Sequence, residues 1–254
     1  MRSVSLIISA LTLSIAAALP AAAQDRSFNF ALRGGLAVGP EYLGSDTSEA
    51  GADVGFTFGS LTFGGRSIGN GVRAVPDNGV SLRGALRVIG ERTAADSPEL
   101  AGLADIDTAV ELGLGLTFQQ THWMAFGEVR KGVTGHSAVT GTLGAAYIYR
   151  PNENWLITAG PRVSFGDDEF ADTYFGVPAG GGSAFASYTA TGGALGAGFE
   201  VTGSYFLNDT WALEGAVSYE KLLNDAADSP ITMNGSDDQW RMRLGVSRVF
   251  TLRF

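Results

Sequence analysis

Few residues of the chain have the types and spacing that catalysis requires. The two histidines, His122 and His136, have no cysteine, histidine or carboxylate at metal-ligand spacing, and the chain contains no cysteine. His136 and Ser137 have the side chains of a hydrolase base and nucleophile, but adjacent residues of an extended strand point to opposite faces. No G-x-S-x-G elbow, P-loop or H-E-x-x-H motif occurs. The sequence therefore predicts a protein that is not an enzyme and has no catalytic residue, cofactor or metal ion.

Acidic residues are concentrated between the apolar segments. One group consists of Asp167, Asp168, Glu169 and Asp172, and two acidic pairs follow within 225–238. Oxygen-rich loops can bind Ca²⁺, but this spacing fits no EF-hand, which favours solvated loops over a metal site. The formal net charge of −9 also argues against nucleic acid as a partner, because phosphate backbones are bound by basic surfaces.

Polar and apolar residues alternate along much of the chain. In QWRMRLGVSRVFTLRF, residues 239–254, Trp240 and Leu244 share one face while Arg241 and Arg243 point the other way. Alternation with a period of two residues predicts a half-buried β-strand. Comparable segments lie at 28–38, 80–88, 109–118, 122–130, 139–149, 155–165, 194–207 and 211–220.

The composition of the two faces indicates which of them contacts water. One face is apolar in segment after segment, the other carries Arg, Glu, Thr and Gly, and several segments begin or end with an aromatic residue. An apolar outer band with aromatic girdles around a polar interior is typical of a transmembrane antiparallel β-barrel. The 36 glycines permit the bends and bulges of a closed sheet. We therefore predict this all-β architecture rather than the alternative, a secreted soluble β-sandwich.

The lengths of the connections predict the number of strands. Short connections lie at 76–79, 119–121, 151–154 and 208–209, and long ones at 40–50, 91–106, 132–137, 167–189 and 222–238. This alternation gives ten strands, with short periplasmic turns, long outer loops and both termini in the periplasm. In the segment 51–73 the alternation changes phase at Gly59-Ser60, which we interpret as a bulge in one long strand. A tight hairpin there, and twelve strands in total, is the alternative.

The first 23 residues have the pattern of an export signal. Arg2 precedes an apolar stretch at 6–19, which is short for a membrane anchor, and Ala21-Ala22-Ala23 fits a signal-peptide cleavage site before Gln24. Residues 24–254 then form one barrel domain without a stretch of about 18 consecutive apolar residues. The predicted location is the outer membrane, in contact with its lipid and lipopolysaccharide.

The polar face of the strands is expected to line the lumen. Mixed charge in a barrel of this size can form a salt-bridged plug or line a narrow polar path, and we favour the plug because unpaired buried charges are costly. Arg248 is an exception, because it has the lipid-facing phase; it lies near an interface, or a bulge at Ser247 shifts the register. The candidate lumen-lining residues are Arg33, Arg83, Arg87, Glu111, Arg162, Glu200, Glu214, Arg241 and Arg243, with Glu128, Arg130 and Glu220 in the same phase.

Three ordered motifs carry a resemblance to a known family. Gly39-Pro40-Glu41-Tyr42-Leu43-Gly44-Ser45 resembles the Pro-x-Tyr-x-Gly-Ser signature of MipA/OmpV outer-membrane proteins, and DTYFGV at 172–177 and LLNDAADSP at 222–230 match later stretches. Gly71-Val72 resembles a further recurring pair. The resemblance covers essentially the whole chain after the signal peptide. The motif residues are Pro40, Tyr42, Gly44, Ser45, Tyr174, Phe175, Gly176, Ser229 and Pro230.

The resemblance implies an outer-membrane barrel of Gram-negative bacteria; some members of the family are scaffolds that bind a murein lytic transglycosylase and a bifunctional murein synthase, and others are surface antigens or respond to osmotic stress or antibiotics. It implies no catalytic residue. We expect Pro40, Gly44 and Pro230 to shape loops, and Tyr42 and Tyr174 to pack over the barrel mouth. Four short turns offer little of the roughly 800 Å² per partner that a stable interface needs. The residues themselves thus favour action through the barrel or its outer loops, and a narrow small-solute channel is the alternative function.

Overall fold

The computed structural model describes residues 26–69, 71–72, 78–180 and 182–254. The predicted signal peptide, residues 1–23, and the predicted cut before Gln24 lie outside the described residues. So do Pro76 and Asp77 of the predicted turn at 76–79.

The described strands form one antiparallel sheet that curls into a nearly closed barrel, as predicted. Its strand order is β3-β2-β1-β11-β10-β9-β8-β7-β6-β5-β4. β2, near one end of this order, lies beside β4, at the other end. The strands are β1 Ser27–Pro40, β2 Ser48–Phe63, β3 Arg66–Ile68, β4 Gly79–Ile89, β5 Ala109–Gln119, β6 Trp123–Thr134, β7 Val139–Tyr149, β8 Trp155–Gly166, β9 Gly193–Phe206, β10 Trp211–Leu222 and β11 Asp238–Arg253.

The described residues contain eleven strands, close to the predicted ten, and the additional one is the short strand β3. The register between β1 and β2 shifts after Asn29 and leaves Gly59 as an extra residue, so the phase change is a bulge. The strand then ends at Phe63, and Gly64 and Gly65, with φ of 58° and 76°, turn the chain back into β3. Two consecutive glycines adopt these left-handed conformations without a Cβ penalty. The prediction of a single strand to residue 73 is therefore wrong beyond Phe63.

The outer face of the barrel wall is apolar. Leu112, Leu114 and Leu116 of β5, for example, are 51–60% exposed, while the residues between them point inward. An apolar outer surface of this kind is stable in lipid and unfavourable in water. Among the described residues, no helix has the length and hydrophobicity to cross a membrane. Aromatic side chains lie where the strands meet the short turns: Phe118, Trp123, Tyr147, Tyr149, Trp155, Tyr205 and Trp211.

Arg248 lies on this outer face near the short-turn end. It pairs with Trp211, the first residue of β10, and with Leu32 of β1. Both registers continue through Ser247, so the alternative of a bulge there is wrong. The guanidinium lies 5.1 Å from the centre of the Trp211 ring and 5.2 Å from that of Phe250. Cation–π contact at the strand end allows the charge to remain outside the hydrocarbon.

Helices close the long-loop end of the barrel. They are α1 Asp168–Phe175, α2 Asp225–Asp228 and α3 Pro230–Asn234, with a 3-10 turn at Pro98–Leu100. We call this layer the cap; it consists of residues 41–47, 90–108, 167–180, 182–192 and 223–237. The predicted loops at 167–189 and 222–238 thus contain helices, and the one predicted at 132–137 is reduced to 135–138.

Two of the cap helices, α1 and α3, begin at side chains that satisfy their first backbone N–H groups. Asp167 accepts a hydrogen bond from Phe170 N, and Ser229 accepts one from Ile231 N. Pro230 follows Ser229 as the first residue of α3, a position where its missing N–H has no cost. Short polar residues that suggested solvated loops therefore start helices.

Two glycines on neighbouring strands provide a matched test of the wall. A Cβ on Gly198 of β9 would lie 1.9 Å from Tyr219 O, whereas a Cβ on Gly215 of β10 would have its nearest contact at 3.6 Å. We expect Gly198→Val to lower the free energy of unfolding by about 1–3 kcal/mol through overpacking, and Gly215→Val to leave it nearly unchanged. The measurement is urea unfolding in detergent, and equal destabilisation of both variants would contradict this packing.

Candidate functional site: the lumen and its cap

An alternating chain of charges crosses the inner face of β4, β5 and β6. Arg87 donates two hydrogen bonds to Glu111, at 2.6 and 2.7 Å, and Arg130 donates a third at 3.1 Å. Arg130 also binds Glu128, which accepts a bond of 2.7 Å from Arg83. Glu111 is fully buried and accepts a further bond of 2.9 Å from Thr140. Five ionic side chains of alternating sign therefore join three strands.

Two smaller ionic groups lie on the opposite part of the inner wall. Glu200 binds Arg162 and lies 3.5 Å from Arg243. Arg33 is paired with Asp53 at 2.7 Å and with Glu214 at 3.3 Å. Asp53 was not among the sequence candidates, although it precedes inward-facing Gly55 by two residues. All of these groups line or border the interior of the barrel.

Arg241 differs from the other inner-face arginines. It lies over Gly39, where a Cβ would be 3.3 Å from its side chain. It makes no salt bridge with any residue in the described part of the chain. Glu220 and Asp53 attract its charge, and Arg87 and Arg243 repel it. The sequence candidates thus share one interior, and ion pairs between described residues join all of them except Arg241 and Glu220, which accepts a hydrogen bond from Ser164.

The interior contains a cavity of about 540 Å³ lined mainly by these charged and polar side chains. Near the short-turn end, Gly71 N donates to Gly59 O at 3.0 Å and Val72 N donates to Asn29 Oδ1 at 3.0 Å. Val72 lines the cavity. Gly71 and Val72 thus lie along the inner face of the wall and narrow the lumen at this level.

The three motifs that are far apart in sequence meet in the cap. Ser229, which is fully buried, donates a hydrogen bond of 2.6 Å to Phe175 O. Gly44 N donates to Gln239 Oε1 at 3.2 Å, and Gln239 Nε2 donates to Ser45 O at 3.2 Å. The first motif is thereby held by the start of β11, and the second by the third.

Backbone conformation and close packing explain why glycine or proline occupies four further motif positions. Gly44 has a φ of 95°, and a Cβ there would lie 2.7 Å from Thr232 Oγ1. Gly176 ends α1, with its N–H bonded to Asp172 O, and a Cβ there would lie 2.3 Å from that oxygen. Pro40 is the last residue of β1 and Pro230 the first of α3. These positions shape the cap backbone.

The two motif tyrosines are packed inside the cap. Tyr42 donates a hydrogen bond of 3.0 Å to Glu99, and burial, followed by the Glu99 carboxylate, raises the pKa of Tyr42 to about 12. Tyr174 lies in the hydrophobic cluster with Phe170 and Phe175, and burial raises the pKa of Tyr174 to about 12. In both, the low-polarity surroundings disfavour the phenolate.

His136 joins the cap to the lumen charges. Its Nε2 lies 3.4 Å from Glu111 Oε1, and its ring meets Phe170 and Tyr174 edge-on at 5.6 and 5.7 Å. Sequence reasoning treated His136 as an ordinary loop residue, and it treated Gln239 only as part of the polar face. No local pattern signals these contacts, because their partners come from distant segments. Arg92, which donates a bond of 2.8 Å to Tyr174 O, was missed for the same reason.

The structure shows no catalytic pair at His136 and Ser137. His136 Nδ1 accepts from Ala138 N at 3.2 Å, while Ser137 Oγ donates to Glu169 at 2.7 Å. No group of three potential metal ligands occurs among the described residues. Asp225 accepts bonds of 2.8 and 2.6 Å from Thr191, so this loop acid also holds the cap together.

Solved structures similar to this chain are outer-membrane proteins. OprG from Pseudomonas aeruginosa is 15% identical, with 89% of this chain and 98% of that chain covered and a TM-score of 0.30. An outer membrane channel from Pseudomonas putida F1 is 11% identical, with 92% and 100% covered and a TM-score of 0.41. Ail from Yersinia pestis is 9% identical, with 89% and 99% covered and a TM-score of 0.25. The chain matches no curated protein sequence at a significant level.

An apolar outer wall around a charged lumen defines an integral β-barrel protein of the outer membrane. A profile of the family described as MltA-interacting protein MipA matches residues 32–250. Because this match covers most of the chain, the protein belongs to the MipA family, as the sequence motifs indicated.

The buried tyrosines predict an alkaline transition of the cap. Their pKa values of about 12 lie above the ordinary value of 10.0, so they stabilise the folded cap below pH 10 and lose this contribution as the pH rises through about 12. We expect Tyr42 and Tyr174 to titrate later than a tyrosine of ordinary pKa in a phenolate absorbance titration. Tyr42→Phe and Tyr174→Phe should each remove one late proton, and an unchanged count would contradict the assignment.

Glu111 and Glu214 provide a matched test of the charge network. Glu111→Gln leaves Arg87 and Arg130 without their common counter-charge, and we expect a loss of about 3–5 kcal/mol in unfolding free energy. The Glu214 side chain is 23% exposed, so Glu214→Gln should cost about 1 kcal/mol or less. Urea unfolding at one pH compares the two, and equal losses would show that burial of Glu111 is not decisive.

Proposed function

We propose that this outer-membrane barrel is closed along its axis and acts as a non-enzymatic anchor for murein-turnover enzymes. The observation that carries the closure is the ionic network of Glu111 beneath a packed cap. Arg87, Arg130 and Thr140 contact the carboxylate from the wall, and His136 lies between it and the aromatic side chains of α1. A solute moving along the axis would have to displace buried ion pairs and a hydrophobic cluster.

The proposed partners are a murein lytic transglycosylase and a bifunctional murein synthase. Support comes from the family description, which names interaction with MltA, and from the three motifs. We place the short turns on the periplasmic side, where such enzymes act on murein. The absence of a Ser–His pair or a metal cluster in the described residues supports a binding role over catalysis.

The short-turn end has more surface than its turns alone provide. Arg248 pairs with the first residue of β10, yet β11 continues to Arg253 and remains paired with β1. The β2–β3 hairpin lies beside this part of β1, and Phe63 and Ile68 of the hairpin are exposed. This paired extension, rather than the four turns, is the surface that we propose for docking.

Site-specific photo-crosslinking tests the anchor. We would place benzoylphenylalanine at exposed Arg66 of the hairpin and, as the matched control, at exposed Met233 of the cap. Irradiated cells should give a crosslink to a murein lytic transglycosylase or synthase from position 66 and none from position 233. Capture from position 233 alone, or no murein enzyme from either position, would contradict docking at the short-turn end.

The second candidate function is a narrow polar channel, favoured by the cavity of about 540 Å³ and its charged lining. Planar-bilayer recording separates it from the anchor. The closed barrel should give no discrete conductance steps. Discrete conductance steps in the wild-type protein that change in the Arg243→Ala variant would contradict axial closure and support conduction through the lumen.

A further inference from the structure

The barrel wall has one seam without backbone pairing. Neighbouring strands elsewhere in the sheet share continuous or once-shifted registers, but the sheet ends at β3 and β2 on one side and at β4 on the other. β2 and β4 are adjacent, yet no ladder connects them in the described part of the chain. Because β3 has three residues, it cannot complete the wall beside the eleven residues of β4.

Aromatic side chains cover this seam on its outer side. Phe28, Phe30, Phe56 and Phe58 have ring centres 4.8 to 6.5 Å apart. A Cβ on Gly84 of β4 would lie 2.9 Å from the Phe56 ring and 3.4 Å from Phe58 Cβ. The two phenylalanines of β2 therefore lie directly against the β4 backbone. Apolar contacts of this kind can separate without the loss of any backbone hydrogen bond.

Guanidinium groups lie on the inner side of the same seam. Arg83 precedes Gly84 on β4 and Arg87 lies three residues after it; they bond to Glu128 of β6 and Glu111 of β5, and the cavity they line also reaches Phe56 and Gly84. Their side chains are 35% and 31% exposed and line the cavity, so neither is fully enclosed by its carboxylate partner. A molecule in the seam would thus contact aromatic rings on the membrane side and cations on the lumen side.

We propose that the β2–β4 seam is a lateral opening through which a long-chain carboxylate enters the lumen from the membrane. Its hydrocarbon chain passes between Phe56 and Gly84, and its carboxylate binds Arg83 and Arg87. The cap restricts the axial route at one end and Val72 narrows it at the other, while the seam gives direct access from the lipid. This activity is independent of the anchoring role, because it uses the wall and not the short-turn end.

A disulfide across the seam tests the opening. The predicted Cβ separation of 3.4 Å between positions 84 and 58 is close to the ~3.5–4.5 Å of natural disulfides, and the chain has no other cysteine. The double variant Phe58→Cys/Gly84→Cys would be reconstituted in vesicles containing diazirine-labelled palmitic acid. After irradiation, peptide mass spectrometry separates crosslinks to lumen-facing residues of β4 from those to lipid-facing residues of β9 and β10.

We expect the oxidised double variant to lose the lumen crosslinks and the reduced form to regain them. Crosslinks to β9 and β10 should be equal in both states, which controls for fatty-acid concentration. Each single cysteine variant should be insensitive to oxidant. Lumen crosslinks that are equal in the oxidised and reduced forms, or absent from both, would overturn the proposal.

A second variant tests the seam in the opposite direction. Phe56→Ala removes the ring that lies against Gly84 and should increase lumen crosslinking, whereas Phe250→Ala, at the far side of the aromatic cluster, should not. Arg83→Gln combined with Arg87→Gln should weaken lumen crosslinking of palmitic acid more than that of its methyl ester. Equal responses of the acid and the ester would exclude recognition of the carboxylate.

Discussion

The buried carboxylate of Glu111 is the interaction on which the rest of the structure depends. A carboxylate that is shielded from water is unfavourable unless charges and hydrogen bonds replace its hydration. Arg87, Arg130 and Thr140 supply these contacts from β4, β6 and β7. Removal of any one partner leaves a buried charge unbalanced, so the four strands are held in one relative register. The wall is therefore fixed at the level where the cap begins.

Contacts within the cap connect Glu111 to the long loops. His136 lies between Glu111 and the aromatic residues of α1, and Phe175 at the end of α1 accepts the hydrogen bond of Ser229. Ser229 in turn starts α3, whose Thr232 leaves room for no residue larger than glycine at position 44. The second motif, in α1, thus contacts the third at Ser229, and the helix that Ser229 starts limits the residue at position 44 of the first motif. The long-loop end of the barrel is therefore covered by a layer whose segments hold one another in place.

The sequence predicts the wall better than the contacts within it. Alternation with period two is a local property, so it identified the strands and the phase of the charged residues. Ion-pair choice and cap assembly are long-range: Gln239 binds Ser45 across 194 residues, and Ser229 binds Phe175 across 54. Asp53 has the inward phase in the part of β2 before the bulge, but only its contact with Arg33 shows that it belongs to the lumen charges. The helices were missed because acidic and short polar residues at helix starts have the composition of loops.

The seam follows from the lengths and pairing of the strands. In lipid every backbone group needs a partner, and each unsatisfied one costs several kcal/mol. A wall that ends in the three residues of β3 leaves the edges of β2 and β4 without a ladder between them. Packing Phe56 and Phe58 against Gly84 excludes lipid from these edges, and a side chain larger than glycine at position 84 would hold the rings away from the backbone. The aromatic cluster therefore covers these edges but supplies no hydrogen-bond partner to their backbone groups, which makes the seam the weakest part of the wall. Because its contacts are apolar on the membrane side and its inner neighbours are cations, the weakest part of the wall is also the part best suited to an amphipathic molecule.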